Sequence, residues 1–133
     1  MDLIKITPDK ERARSIIKMT SLIKERIKSQ NRENMTALII TDYYEIIKEL
    51  ITAILLTDGY KTLSHKDLFD YLEKKYPEFD ANDISNLNDL RILRNKVSYE
   101  GFFIDLSYLD RHEFLFKEII TKLEDILGDK LKS

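Results

Sequence analysis

Backbone punctuation is nearly absent from this chain, with only three glycines and two prolines in 133 residues. Turns and loops draw on these two residues more than any others, so a chain this poor in them is built from long elements joined by short connections. Between them the apolar residues recur with helical spacing, and no stretch alternates for long enough to make a convincing strand. The best strand candidate, Tyr99 to Leu106, is short and carries Gly101. The expectation is an all-α fold: an antiparallel bundle of four long helices and one short one, in a single domain over residues 1–133.

The helix boundaries follow from cap chemistry. Thr7 followed by Pro8 reads as an N-cap with proline at the first helical position, and Ala13, Ile16, Ile17, Thr20, Ile23 and Ile27 make a stripe ending near Lys28. Asn31 or Asn34 opens a second helix to about Thr57. It is apolar nearly all round, with Thr41, Asp42, Glu45, Lys48, Glu49 and Thr52 on one polar strip. Gly59 ends it, and Ser64 with Asp67 resembles a capping box that begins a short helix to about Lys75. Pro77 breaks the chain. Asp80 and Asp83 then start a fourth helix, from about Asp83 to Ser98, which Gly101 ends. Ser107 and Asp110 precede a last helix with the stripe Leu109, Phe116, Ile119, Leu123, Ile126 and Leu127, closed by Gly128. Phe114 and Phe116 lie about 200° apart on that helix, so they cannot share one core.

Composition removes several kinds of chemistry. Without cysteine there are no disulfides, thiolate metal sites, iron–sulfur clusters or cysteine nucleophiles. The two histidines, His65 and His112, have no partner at metal-ligand spacing and read as structural, so no metal or cofactor is expected. No glycine-rich phosphate loop or Gly-x-Ser-x-Gly elbow is present. The start, Met1 to Ile6, lacks the apolar core of a secretory signal, and no apolar run is long enough to span a membrane; the expectation is a soluble, cytoplasmic protein. Residues 1–32 carry nine Lys and Arg against four acids, while the whole chain has a formal charge of −2. A solvated helix face explains this basic segment more simply than a landing strip for RNA.

One charge is out of place. On a helix covering Asp83 to Ser98, Leu87, Leu90, Leu93 and Val97 share an arc, and Arg94 projects from its centre. A buried guanidinium without a partner is prohibitively unfavourable, so a carboxylate, another subunit or a phosphate must meet it, or its stem must snorkel outwards. Asp42, Glu45 and Glu49 stack on one face of the second helix, which makes Glu45 or Asp42 the expected partner of Arg94.

Arg94-Asn95 followed by Lys96-Val97-Ser98-Tyr99-Glu100-Gly101 resembles the signature of HEPN domains, in which an arginine precedes a histidine by about five positions late in the bundle. Tyr43-Tyr44, the run Leu50 to Leu56, Gly59-Tyr60-Lys61 and Ser64-His65 are similar to that family's second helix and the loop after it. The resemblance implies a homodimer with nucleotide or RNA at its cleft. The chain would be either a metal-independent endoribonuclease or a non-catalytic partner of a small nucleotidyltransferase in a toxin–antitoxin pair. By this likeness Arg94, Asn95, Lys96 and Tyr99 would bind the ligand, with Arg94 and Tyr99 as the catalytic candidates. Tyr99 stands where the family has histidine, and a phenol titrating near pH 10 is a poor base at neutral pH, so the expectation is binding before cleavage. A purely structural interaction bundle is the remaining alternative.

Overall fold

The computed structural model describes residues 1–132. Its elements are β1 (Ile4–Lys5), α1 (Lys10–Ser29), α2 (Thr36–Asp58), β2 (Tyr60–Lys61), α3 (His65–Lys75), α4 (Ala81–Glu100) and α5 (Leu106–Lys132). The fold is an all-α bundle with one minor antiparallel strand pair, in which Ile4 faces Lys61 and Lys5 faces Tyr60. Residues 99–106 form no strand: the first two finish α4, residues 101–105 connect it to α5, and Leu106 begins that helix. Among the described residues no helix is long and apolar enough to cross a membrane.

α2 is the axis. Ile39, Ile40, Tyr43, Tyr44, Ile46, Ile47, Leu50, Ile51 and Ala53 to Leu56 are all buried, so the helix is covered on nearly every side. α1 runs against it: Arg26 meets Asp42 at one end, and near the other the Asp9 amide donates to the Leu56 carbonyl at 3.0 Å. α5 lies on α2 in the same sense, with Tyr43 beside Glu113 and Asp58 beside Lys130. α3 is also parallel to α2, because the chain from Gly59 to Ser64 doubles back before the helix begins; Tyr44 meets His65 and Asp58 meets Tyr71. Antiparallel packing therefore holds for α1 with α2, and α4 runs antiparallel to α5, where Lys122 approaches Asp83 at 3.9 Å, but not every pair is antiparallel.

Three boundaries differ from expectation, each for a local reason. Residues 4–6 extend along β2, and the Ile6 amide donates to the Gly59 carbonyl at 2.9 Å, so Thr7 and Pro8 precede the helix and Asp9 caps it by accepting from the Arg12 amide. Asn31 accepts from the Asn34 amide in a turn, and α2 starts only at Thr36. Gly128 does not stop α5, which continues to Lys132 because its last turn is anchored through Lys130 to Asp58 and through the Leu131 carbonyl to Arg14. Elsewhere local chemistry decides. Ser64 caps α3 by accepting from the Asp67 amide, although Asp67 receives the Asp2 amide instead of closing a capping box. Asp80 and Asp83 form a full capping box on α4. Gly59 (φ 88°) and Gly101 (φ 62°) end their helices in the left-handed region. A side chain at Gly59 would also bring a Cβ to 3.1 Å from the Ile6 carbonyl. On α5, Phe116 is fully buried and Phe114 is 72% exposed.

Three of the nine cations in the basic first segment pair with acids of other helices. Arg26 is held by Asp42, Lys24 by Glu124, and Arg32 by Asp110 and Glu113. At the far end of the bundle Asp58 accepts hydrogen bonds from Tyr71 and Tyr76, both at 2.6 Å, and from Lys130. Burial alone would raise this carboxyl's pKa, but the Lys130 ammonium and the two phenols outweigh it and hold the pKa below the ordinary value. A depressed folded pKa stabilises the fold above the unfolded value of about 3.9, and that contribution disappears as the pH falls through the folded value. Asp58→Ala should lower unfolding free energy by about 2–4 kcal/mol in urea titrations, since it strands a cation and two buried hydroxyls. Asp58→Asn should flatten the acid limb of stability against pH; an unchanged acid limb would show that the cluster is not the linkage.

Candidate functional site

The second half of α4 carries the anomaly. Leu87 and Leu90 are fully buried, but Leu93 and Val97 are half-buried and Arg94 stands among them, aimed at α2. Its guanidinium lies over the Tyr44 ring at 5.6 Å from the centroid, and Nη1 reaches the Asn95 Oδ1 at 3.4 Å. A cation–π contact contributes roughly 0.5–2 kcal/mol and a hydrogen bond this long adds little, against several kcal/mol for desolvating an ion. Protein groups alone therefore leave the charge under-compensated.

Neither expected carboxylate reaches it. Asp42 faces α1, where it accepts from Arg26 Nε (3.0 Å), Arg26 Nη2 (2.7 Å) and Gln30 Nε2 (2.7 Å). Glu45 accepts from Lys48 at 2.5 Å, and Glu49 also pairs with Lys48 at 3.2 Å. Among the described residues Arg94 has no carboxylate within ion-pair distance, and neither has Arg91 one turn before it. The Arg91 Nε is buried without a hydrogen-bond acceptor, and the Oδ1 of nearby Asn88 is buried without a donor. Each such unanswered group costs about 1–3 kcal/mol.

What Arg94 meets instead is the Tyr44 ring, whose hydroxyl is bound in turn from α3. His65, the first residue of that helix, places Nδ1 2.8 Å from the Tyr44 hydroxyl. Tyr44 is fully buried, edge-on to Phe69 at 6.2 Å, so its hydroxyl needs an internal partner. Burial pushes the Tyr44 hydroxyl up to about 12, with Arg94 and Arg91 pulling the other way, so it keeps its proton. His65 is shifted down by burial first, then by the positive charges of Lys48, Arg94 and Arg91, with Glu45 opposing. It is neutral at pH 7. Where the ring carries its proton on Nδ1, it donates to the Tyr44 oxygen and leaves Nε2 free to accept.

The other motif residues separate from this cluster. Tyr99 is 79% exposed and lies about 140° round the helix from Arg94, so it does not face the Tyr44–His65 pair. Lys96 projects outward with its ammonium 5.6 Å from the centre of the Phe102 ring. Asn95 alone stays with Arg94. His112 is remote, stacked on Tyr108 at 4.0 Å with Nδ1 2.8 Å from the Tyr108 carbonyl. The sequence offers His65 as a structural histidine and within the Ser64-His65 likeness; its pairing with Tyr44 depends on how the Gly59–Ser64 segment returns. Among the described residues no three His, Asp or Glu side chains converge as a metal site.

The arrangement can hold an anion against two guanidiniums beside a neutral imidazole. A depressed histidine pKa also adds stability above the unfolded value of about 6.5, lost as the pH falls through the folded value. An NMR titration should place the His65 midpoint below 6.5, and Arg94→Gln should raise it; an unmoved midpoint in that variant would remove Arg94 from the cluster's electrostatics. Comparison of the chain with protein-family models, with curated proteins and with solved structures finds no match, so the site rests on its own side chains.

Proposed function

We propose that this chain is an HEPN-like protein of the cytoplasm that binds the phosphate of a nucleotide or of RNA at Arg94 and Arg91. In this reading it is the non-catalytic or partner subunit of a nucleotidyltransferase or toxin–antitoxin pair. The observation that carries the reading is that, among the described residues, no carboxylate reaches two neighbouring, half-buried arginines, whereas the buried Asp42 and Asp58 are paired with cations. Guanidinium groups match phosphate oxygens in pairs, and Asn95 can donate a further hydrogen bond from the same turn.

The same reading makes the protein a homodimer. Ile92, Tyr99, Phe102 and Phe103 are exposed at the corner between α4 and α5, Phe103 at 90%. Asp89 and Asp105 there balance Lys96 and Arg111, so the patch complements itself, as a twofold interface requires. Light scattering at micromolar concentration should return twice the chain mass of 15.8 kDa; a strict monomer contradicts this part of the proposal.

A second reading, metal-independent endoribonuclease, is favoured by His65. A neutral imidazole beside two guanidiniums can take the proton of an RNA 2′-hydroxyl as it attacks the adjacent phosphate, with Arg94 balancing the charge that develops. One set of variants decides between the two. Arg94→Gln should weaken binding of RNA oligonucleotides or nucleotides by about tenfold or more while thermal unfolding stays cooperative. Unchanged affinity rejects the site, and loss of folding assigns Arg94 to structure. RNA incubated in EDTA should remain intact; cleavage that disappears in His65→Ala while binding persists establishes the second reading instead.

A further inference from the structure

On the other flank of α2 from Tyr44, a groove of about 440 Å³ opens between α1 and α5, which both pack on α2. Its floor is apolar: Ile27, Ile120 and the ring of Tyr43. Its rim is cationic, with Lys24, Lys28, Arg32 and Lys117, and the only acid in the lining is Glu113. That acid is fully engaged, receiving Arg32 at 2.9 and 3.1 Å and the Tyr43 hydroxyl at 2.6 Å. Glu124, Glu25 and Asp110, which pair with Lys24, Lys28 and Arg32, stand outside the lining. Lys117 and Thr121, one turn apart on α5, have no protein partner among the described residues and offer an ammonium and a hydroxyl at the same edge.

We infer that this groove binds a small amphiphilic anion, with a carboxylate head at Lys117 and Thr121 and an aliphatic body over Ile27, Ile120 and Tyr43. The inference is independent of the Arg94 site, which opens on another face of α2. Apolar contact alone would accept any greasy molecule, and the cations alone would accept any anion; the two together select molecules that carry both. The volume lies within the usual range for small-ligand sites, roughly 300–1,000 Å³. Lysine stems cover the sides of the aliphatic body while their heads stay hydrated.

The probe is decanoate, below its micellar range, followed by amide NMR and calorimetry on the full chain, with decanol and inorganic phosphate as controls. Decanoate should saturate, moving the resonances of Ile27, Tyr43, Ile120 and Thr121. Decanol and phosphate should each bind about tenfold more weakly or worse. Lys117→Glu, an exposed change that leaves the floor intact, should weaken decanoate by a similar factor, and Lys117→Arg should retain it. No saturable binding, equal binding of decanol, equal binding of phosphate, or indifference to Lys117→Glu would each overturn the inference.

Discussion

A helix buried on nearly every side needs a partner for each buried polar group, and in this protein that helix is α2. Its polar side chains are answered one neighbour at a time: Asp42 by Arg26 and Gln30 of the α1 end, Tyr43 by Glu113 of α5, Tyr44 by His65 of α3, and Asp58 by Tyr71, Tyr76 and Lys130. Apolar burial drives the helices together without saying which way round they lie. These directional contacts set each one's register against the axis, because leaving any of them unmade costs about 1–3 kcal/mol of a total stability of only about 5–15.

The same demand makes Arg94 and Arg91 conspicuous. Elsewhere an expected conflict is partly resolved: Lys24, Arg26 and Arg32 of the basic first segment each pair with an acid of another helix. On α4 the resolution stops short. Among the described residues Arg94 has an aromatic face and one long hydrogen bond, Arg91 has a buried Nε with no acceptor, and Glu45 and Glu49 of α2 pair with Lys48 instead. Stability would be better served by a leucine at either position. Retaining two cations there fits a site that completes its coordination with something brought from outside.

Much of the fold was legible because it is local. Asp80 with Asp83, Ser64, Gly59 and Gly101 act within a few residues of themselves, and their boundaries hold. Gly128 and the Thr7–Pro8 pair misled because distant contacts override them: Asp58 and Arg14 hold the last turn of α5, and β2 draws residues 4–6 into an extended path. The oddity of Arg94 was visible in periodicity alone. Its surroundings were not, since Asp42 could turn to α1 as readily as to α4, and His65 arrives only because the chain doubles back after α2. Tyr99 stands out only through the resemblance to HEPN domains, and a helix places it on the face away from Arg94.

The central claim is that Arg91 and Arg94 hold an external phosphate, and the most direct test watches their own protons. In ¹⁵N-edited NMR of the wild-type protein titrated with an RNA oligonucleotide at low salt, the Nε–H resonances of Arg91 and Arg94 should shift together and saturate. The Arg26 Nε–H, already bound to Asp42, should stay in place. If the oligonucleotide binds while the Arg91 and Arg94 signals do not move, or if it does not bind at all, the two arginines are structural and the claim is wrong.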